Sequence, residues 1–110
     1  MKPYPSEARN EVVEISRWAI NDPLIEGVEF VNCAIVGPAV IVLVEGVSII
    51  NCGWDAPDWD ALVWTIPDAR ELIIGAVGLK NCTFSSCQFR NIGLGVKESD
   101  VPDVRAGFGL

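Results

Sequence analysis

Large apolar residues fall on every fifth position over much of this chain. They run without a gap through Ile15, Ile20, Ile25, Phe30, Ile35 and Val40, and again through Leu79, Phe84, Phe89 and Leu94. A second set stands two residues before each centre: Val13, Trp18, Pro23, Val28, Cys33 and Pro38 in the first run, Val77, Cys82, Cys87 and Ile92 in the second. Two residues after the centres come turn formers, Asp22, Gly27, Asn32 and Gly37, which supply the backbone angles that corners need. A period of five is neither the 3.6 of a helix nor the 2 of a flat strand. It predicts a chain that turns a corner every five residues and stacks pass upon pass.

The phase slips by one residue after Val40 and resumes as Val44, Ile49 and Trp54, with Gly46 and Asn51 at the corners. VEFVNCAIVG overlays VSIINCGWDA, so that Phe30 is expected to stack on Ile49, Asn32 on Asn51 and Cys33 on Cys52. Each such ladder needs compatible side chains above and below, apolar within and amide-bonded at the corner. The fold class expected is therefore all-β: a small right-handed parallel β-helix, or β-solenoid, of about four coils. One domain is expected over residues 1–110, with a periodic core from about 13 to 96 and a tail from 97 to 110.

Three stretches fit the frame less well. Ser6 to Ile15 carries a weak helical pattern, with Ala8, Val12 and Ile15 on one face. Asp55 to Glu71 is rich in proline and charge, so an excursion is predicted near 55–71, with ALVWTI as a strand between two loops and Ile74 restarting the frame. The tail KESDVPDVRAGFGL has no filled frame; it is expected to cap one end through Phe108 and Leu110, because the end of such a stack exposes unpaired backbone and apolar side chains.

The residues of the second run, CTFSSCQFRNIGL, resemble a pentapeptide-repeat protein, whose repeats carry a large apolar centre, a small residue two before it and a polar residue between. The match is close over Val77 to Leu94 and looser back to Val13. Earlier turns depart from the family pattern, with Trp18, Val28, Pro38 and Val47 where small residues are preferred, and these look like the coils of three-sided, pectate-lyase-like β-helices. A four-sided and a three-sided coil both remain open. Some pentapeptide-repeat proteins are acidic DNA mimics that bind DNA gyrase, which is what the closer resemblance implies about partners.

Charge and composition narrow the function classes. Fifteen acids against eight Lys and Arg give a formal charge of −7, which argues against direct binding of nucleic acid and suits a basic protein partner. The start, MKPYPSEARN, lacks the apolar run of a secretion signal, and no stretch approaches the roughly 18 apolar residues that span a membrane, so a cytoplasmic protein is expected. Four cysteines, Cys33, Cys52, Cys82 and Cys87, stand in apolar frames with no CxxC pair and no histidine in the chain. They read as buried free thiols, with no cofactor or metal expected.

The candidate ligand-binding residues are Asp55, Asp58, Trp59 and Asp60. Three carboxylates so close together could hold Ca²⁺, and an exposed indole could stack on a sugar ring, although the glycine and terminal glutamate of an EF-hand are missing. Trp54 and Trp64 fall on the apolar frame and read as core, leaving Trp59 as the exposed contact. No catalytic set is visible: Ser85, Ser86 and the cysteines have no histidine to activate them, and Arg70 is expected to pair with Asp68 or Glu71. The function expected is a non-enzymatic interaction or scaffold module that self-associates as a homo-oligomer and meets a protein partner through an acidic face. The alternative is a carbohydrate-recognising domain that uses the Trp and Asp residues of 54–64, with or without Ca²⁺.

Overall fold

The computed structural model describes residues 4–20, 22–70 and 75–108, with side chains to residue 106. Eleven strands and three α-helices are found among these residues. The strands are β1 (Glu7–Arg9), β2 (Val12–Glu14), β3 (Leu24–Glu26), β4 (Glu29–Val31), β5 (Ala34–Glu45), β6 (Ser48–Ile50), β7 (Gly53–Trp54), β8 (Val63–Ile66), β9 (Ala76–Lys80), β10 (Thr83–Ser85) and β11 (Gln88–Lys97). The helices are α1 (Ile15–Trp18), α2 (Trp59–Leu62) and α3 (Val101–Phe108), the last preceded by a 3₁₀ turn at Glu98–Asp100.

All strand pairing is parallel. One sheet has four strands in the order β1-β4-β10-β6; the other has seven, β3-β9-β5-β11-β7, with β2 paired to β5 and β8 to β11. This corrects the expected all-β, right-handed parallel β-helix: the molecule is mixed α/β, with two parallel sheets and three helices, and it is not a closed solenoid. The stacking order is not the sequence order. Thr83 pairs with both Glu29 and Ser48, and Phe84 with both Phe30 and Ile49, so β10 is wedged between two strands that precede it. In the same way β11 lies between β5 and β7, and β9 between β3 and β5. Residues 76–97 therefore enter between two earlier passes of the chain instead of adding a layer at its end.

The predicted ladders are interrupted accordingly. Phe84, buried, stacks on Phe30 with ring centroids 4.6 Å apart and planes 1° from parallel, which leaves Ile49 on its far side. Cys87 comes between Cys33 and Cys52, with its backbone N–H donating to Cys52 Sγ at 3.4 Å. Only one amide–amide bond forms at this corner, Asn32 Nδ2 donating to Asn10 Oδ1 at 2.6 Å. The corner itself is a column of left-handed residues, Asn10, Asn32, Ser86 and Asn51, with φ between 52° and 55°. Asparagine tolerates that region better than other residues with a Cβ, which explains why it recurs there.

Inward positions follow the period best in the second run. Leu79, Phe84, Phe89 and Leu94 are buried, and so are Val77, Cys82, Cys87 and Ile92. In the first run Ile15, Ile25, Phe30 and Ile35 are buried, but Ile20 is 75% exposed. The slip falls earlier than its expected place. Arg90 pairs with Val36 and Ile92 with Ala39, so Gly37 and Pro38 oppose Asn91 alone and the strand carries an extra residue there. Gly37 is required, because a Cβ on it would stand 1.9 Å from the Asn91 carbonyl oxygen. Ile41 rather than Val40 is then buried, and Val44 is 55% exposed.

The weaker stretches resolve into definite elements. Instead of a helix, 7–14 forms β1 and β2, which pair with β4 and β5 and point Ala8 and Val13 inward, and Ile15 opens α1. Within 55–71, Asp58 caps α2, and β8 pairs with β11. The tail forms α3 with Asp103 in its first turn and Arg105 in its last, both complementary to the helix dipole. Phe108's side chain, Leu110, Glu71 and Ile74 lie outside the described residues. Tyr4 stacks on Trp18, and Trp18 packs on Phe30, closing the end of the stack nearest the start of the chain. Among the described residues no helix is long and apolar enough to cross a membrane.

Candidate functional site

Segment 54–64 leaves the last layer of the stack and returns to it, and the predicted site residues divide along it. Trp54 stays with the core, its ring 4.1 Å from that of Phe89 and 10° from parallel. Asp55 turns to β11: its backbone N–H donates to the Phe89 carbonyl at 3.2 Å, and its Oδ2 accepts the Asn91 N–H at 3.0 Å. Asp58 has extended backbone angles and its Oδ1 accepts the Ala61 N–H at 2.8 Å, the hydrogen bond of a helix N-cap. Asp60 is exposed in the first turn of α2. The three carboxylates thus serve a strand, a helix end and solvent. No group of three or more His, Cys, Asp or Glu side chains placed to hold a metal is found among the described residues.

Trp59 is half-buried at the start of α2, with the Arg105 guanidinium of α3 5.5 Å from its ring centroid. The cation rests on the electron-rich ring face and ties α3 to α2. The exposed indole is Trp64, which is 64% accessible. Its register explains the inversion. Val63 pairs with inward Leu94, so Trp64 pairs with Gly95 and faces outward, its Nε1 3.0 Å from where a Cβ on Gly93 would be. The five-residue count assigned Trp64 to the core because it ran straight through α2, whose helical residues shift the phase. The glycines on alternate positions of β11, Gly93 and Gly95, were the available signal for a large neighbour on that face.

The insertion of 76–97 makes 43–54 the outermost layer at the end opposite Tyr4. Leu43, Val47, Ile49, Cys52 and Trp54 remain half-buried there, and with Leu62 of α2 and Val104 of α3 they line a cleft of 480 Å³. The surrounding elements carry Asp55, Asp58, Asp60, Glu98, Asp100 and Asp103 against Arg105 and Lys97. Lys97 Nζ donates to the carbonyls of Asp68 and Arg70, while Asp68 Oδ1 accepts from the Ser99 N–H and hydroxyl at 3.1 and 2.9 Å. Asp68 is therefore held by Ser99, not by Arg70. Elsewhere acids are interleaved with bases: Lys80 stands between Glu26 and Glu45, and Arg9 bridges Glu7 and Glu29. Acids outnumber bases on the segments that border the cleft, and Asp58 is in its lining.

All four cysteines are free, and three are buried. Each thiol accepts or donates weakly across strands: Cys33 Sγ donates to the Ala8 carbonyl, Cys82 Sγ to Ile25 and Cys87 Sγ to Phe30, at 3.4–3.5 Å. Burial, opposed by the hydrogen bond to Cys33 and reinforced by neighbouring thiols, pushes the Cys87 pKa up to about 11. A thiol held protonated in this way is a poor nucleophile. No protein-family model, curated relative or solved structure matches the chain.

Proposed function

We propose that the chain is a non-enzymatic protein-interaction module that receives a partner at the 43–54 end of the stack. The supporting observation is the cleft between this uncovered layer and helices α2 and α3, lined mainly by apolar side chains together with Asp58, on segments in which acids outnumber bases. A segment with apolar side chains flanked by Lys or Arg complements it in both respects. Apolar contacts would give the affinity, and the charges would speed and orient the encounter. A second copy is the poorer occupant, since two such ends bring like charges together. The partner is accordingly a different, basic protein.

Selection of displayed peptides on the immobilised protein tests this. Enrichment of basic, apolar sequences whose binding is lost in Ile49→Glu and weakened at least tenfold in the double variant Asp58→Asn/Asp103→Asn is expected. A selection without enrichment, or peptides that bind Ile49→Glu unchanged, would count against it. Size exclusion with light scattering completes the test: a monomer agrees with a heterologous partner, and a stable dimer abolished by Ile49→Glu would give the cleft to a second copy.

A further inference from the structure

The outer face of β8 and β11 carries a second recess, which adjoins the end cleft at Ala56 and Pro57 but is otherwise lined by different residues, and its assignment does not rest on the protein-partner proposal. We infer that it is a binding site for a neutral saccharide, with Trp64 as the stacking platform and Asp55 and Asn91 as the hydrogen-bonding pair. Pro38, Val40, Asp55, Trp64, Asn91 and Gly93 line a groove of 570 Å³, within the size range of small-ligand sites.

Three features carry the assignment. First, Trp64 is 64% exposed and its indole N–H has no hydrogen-bond partner among the described residues, so a large amphipathic ring faces the groove unused. It lies over Gly93, where a Cβ would come within 3.0 Å of Nε1, and β11 thereby makes room for it. Exposed indoles offer a flat apolar face to the C–H face of a pyranose and a polar edge to its hydroxyls.

Second, Asp55 and Asn91 are fixed relative to each other. Asp55 Oδ2 accepts the Asn91 backbone N–H at 3.0 Å, which leaves Oδ1 as a further acceptor on a residue that lines the groove. Asn91 has a left-handed backbone, φ 57°, and its side-chain carboxamide has no partner among the described residues. The pair presents an acceptor-only carboxylate beside an amide that can donate. Neighbouring sugar hydroxyls both donate and accept, so they can satisfy the two together. An ammonium or guanidinium group has no acceptor for the Asn91 amide.

Third, charge excludes the other planar ligands. Among the described residues Asp55 is the only charged side chain lining this groove, in a chain of formal charge −7, so nucleotides and acidic sugars are repelled.

A printed array of neutral and acidic oligosaccharides, followed by titration of the best neutral ligand into ¹⁵N-labelled protein, tests the site. Binding to neutral glycans is expected, with a shift of the Trp64 indole resonance, assigned through Trp64→Phe, and at least tenfold weaker binding in Trp64→Ala and Asp55→Asn. Trp59→Ala should bind as the native protein does. The wild-type indole shift decides the matter even if a variant fails to fold. A blank array, binding to acidic glycans alone, binding unaffected by Trp64→Ala, or shifts confined to other indoles would each overturn the assignment. Competition by an arginine-rich peptide with shifts at Trp64 would give the groove to a basic side chain instead. The peptide selection described for the end cleft can fail without touching any of these outcomes.

Discussion

Phe84 lies flat on Phe30, 4.6 Å between ring centres and 1° between planes, although the two belong to passes of the chain that are not consecutive. On its other side Phe84 pairs with Ile49. One side chain thus joins three strands. The 76–97 segment is held in the stack by what it packs against above and below, because its own residues make no pairing among themselves that would fix it there.

Phe84→Ala should therefore be among the most damaging single changes. Removing a buried phenyl ring costs about 3–5 kcal/mol, and here it empties a layer between two others. Urea denaturation should show a loss of that size. Ile49→Ala, at the half-buried outer layer, should lose less, since part of its surface already faces solvent.

Ser86 stands with φ 55° in a corner column otherwise built of asparagines. Left-handed backbone costs a residue with a Cβ roughly 1–2 kcal/mol, least for Asn. Ser86→Asn should raise stability by about 0.5 kcal/mol and Ser86→Val should lower it by about 1–2 kcal/mol, both read as shifts in denaturation midpoint at unchanged slope.

Cys87 sets an alkaline limit. Its folded pKa, raised to about 11, lies above the ordinary thiol value of 9.0, so the folded state holds this proton more tightly than the unfolded chain does. Stability from this source is complete below pH 9 and falls as pH rises from 9 to 11. Denaturation midpoints measured across that range should decline, and Cys87→Ala should flatten the decline while lowering stability at pH 7. In native protein Cys87 should also react with iodoacetamide far more slowly than half-buried Cys52.

Lys80 sits in register between Glu26 and Glu45, 3.8 and 3.1 Å from their carboxylates, and these acids, Glu45 foremost, raise its pKa. Lys80→Glu would align three like charges on adjacent strands. A lower melting temperature is expected, with much of the loss recovered in 1 M NaCl, where surface repulsion is screened. A loss insensitive to salt would point to packing of the lysine stem instead.

Much of the local geometry was legible. The five-residue period in Val77 to Leu94 places eight inward side chains that are all buried, and the recurring Asn and Gly mark left-handed corners. Stacking order was not legible, because Phe30, Phe84 and Ile49 satisfy the same position in each layer. A ladder rule says that neighbours must be compatible, and any order of these three passes. The helices were missed for a related reason. Four residues such as Trp59–Leu62 are too short to display a 3.6-residue period, and their caps, not their pattern, define them. Of the candidate residues, Asp55 accepts the Asn91 backbone N–H and Asp58 caps α2, contacts across elements that the local sequence does not display. Trp64 could be placed only after the phase change at α2 was known.

The order β4-β10-β6 underlies both the fold and the end cleft, since it is what leaves 43–54 outermost. Cross-strand nuclear Overhauser effects between backbone protons test it directly. Contacts from Thr83–Ser85 to Glu29–Val31 on one side and to Ser48–Ile50 on the other are predicted, with none between Glu29–Val31 and Ser48–Ile50. Direct contacts between those last two segments, with Thr83–Ser85 touching only one of them, would contradict the account.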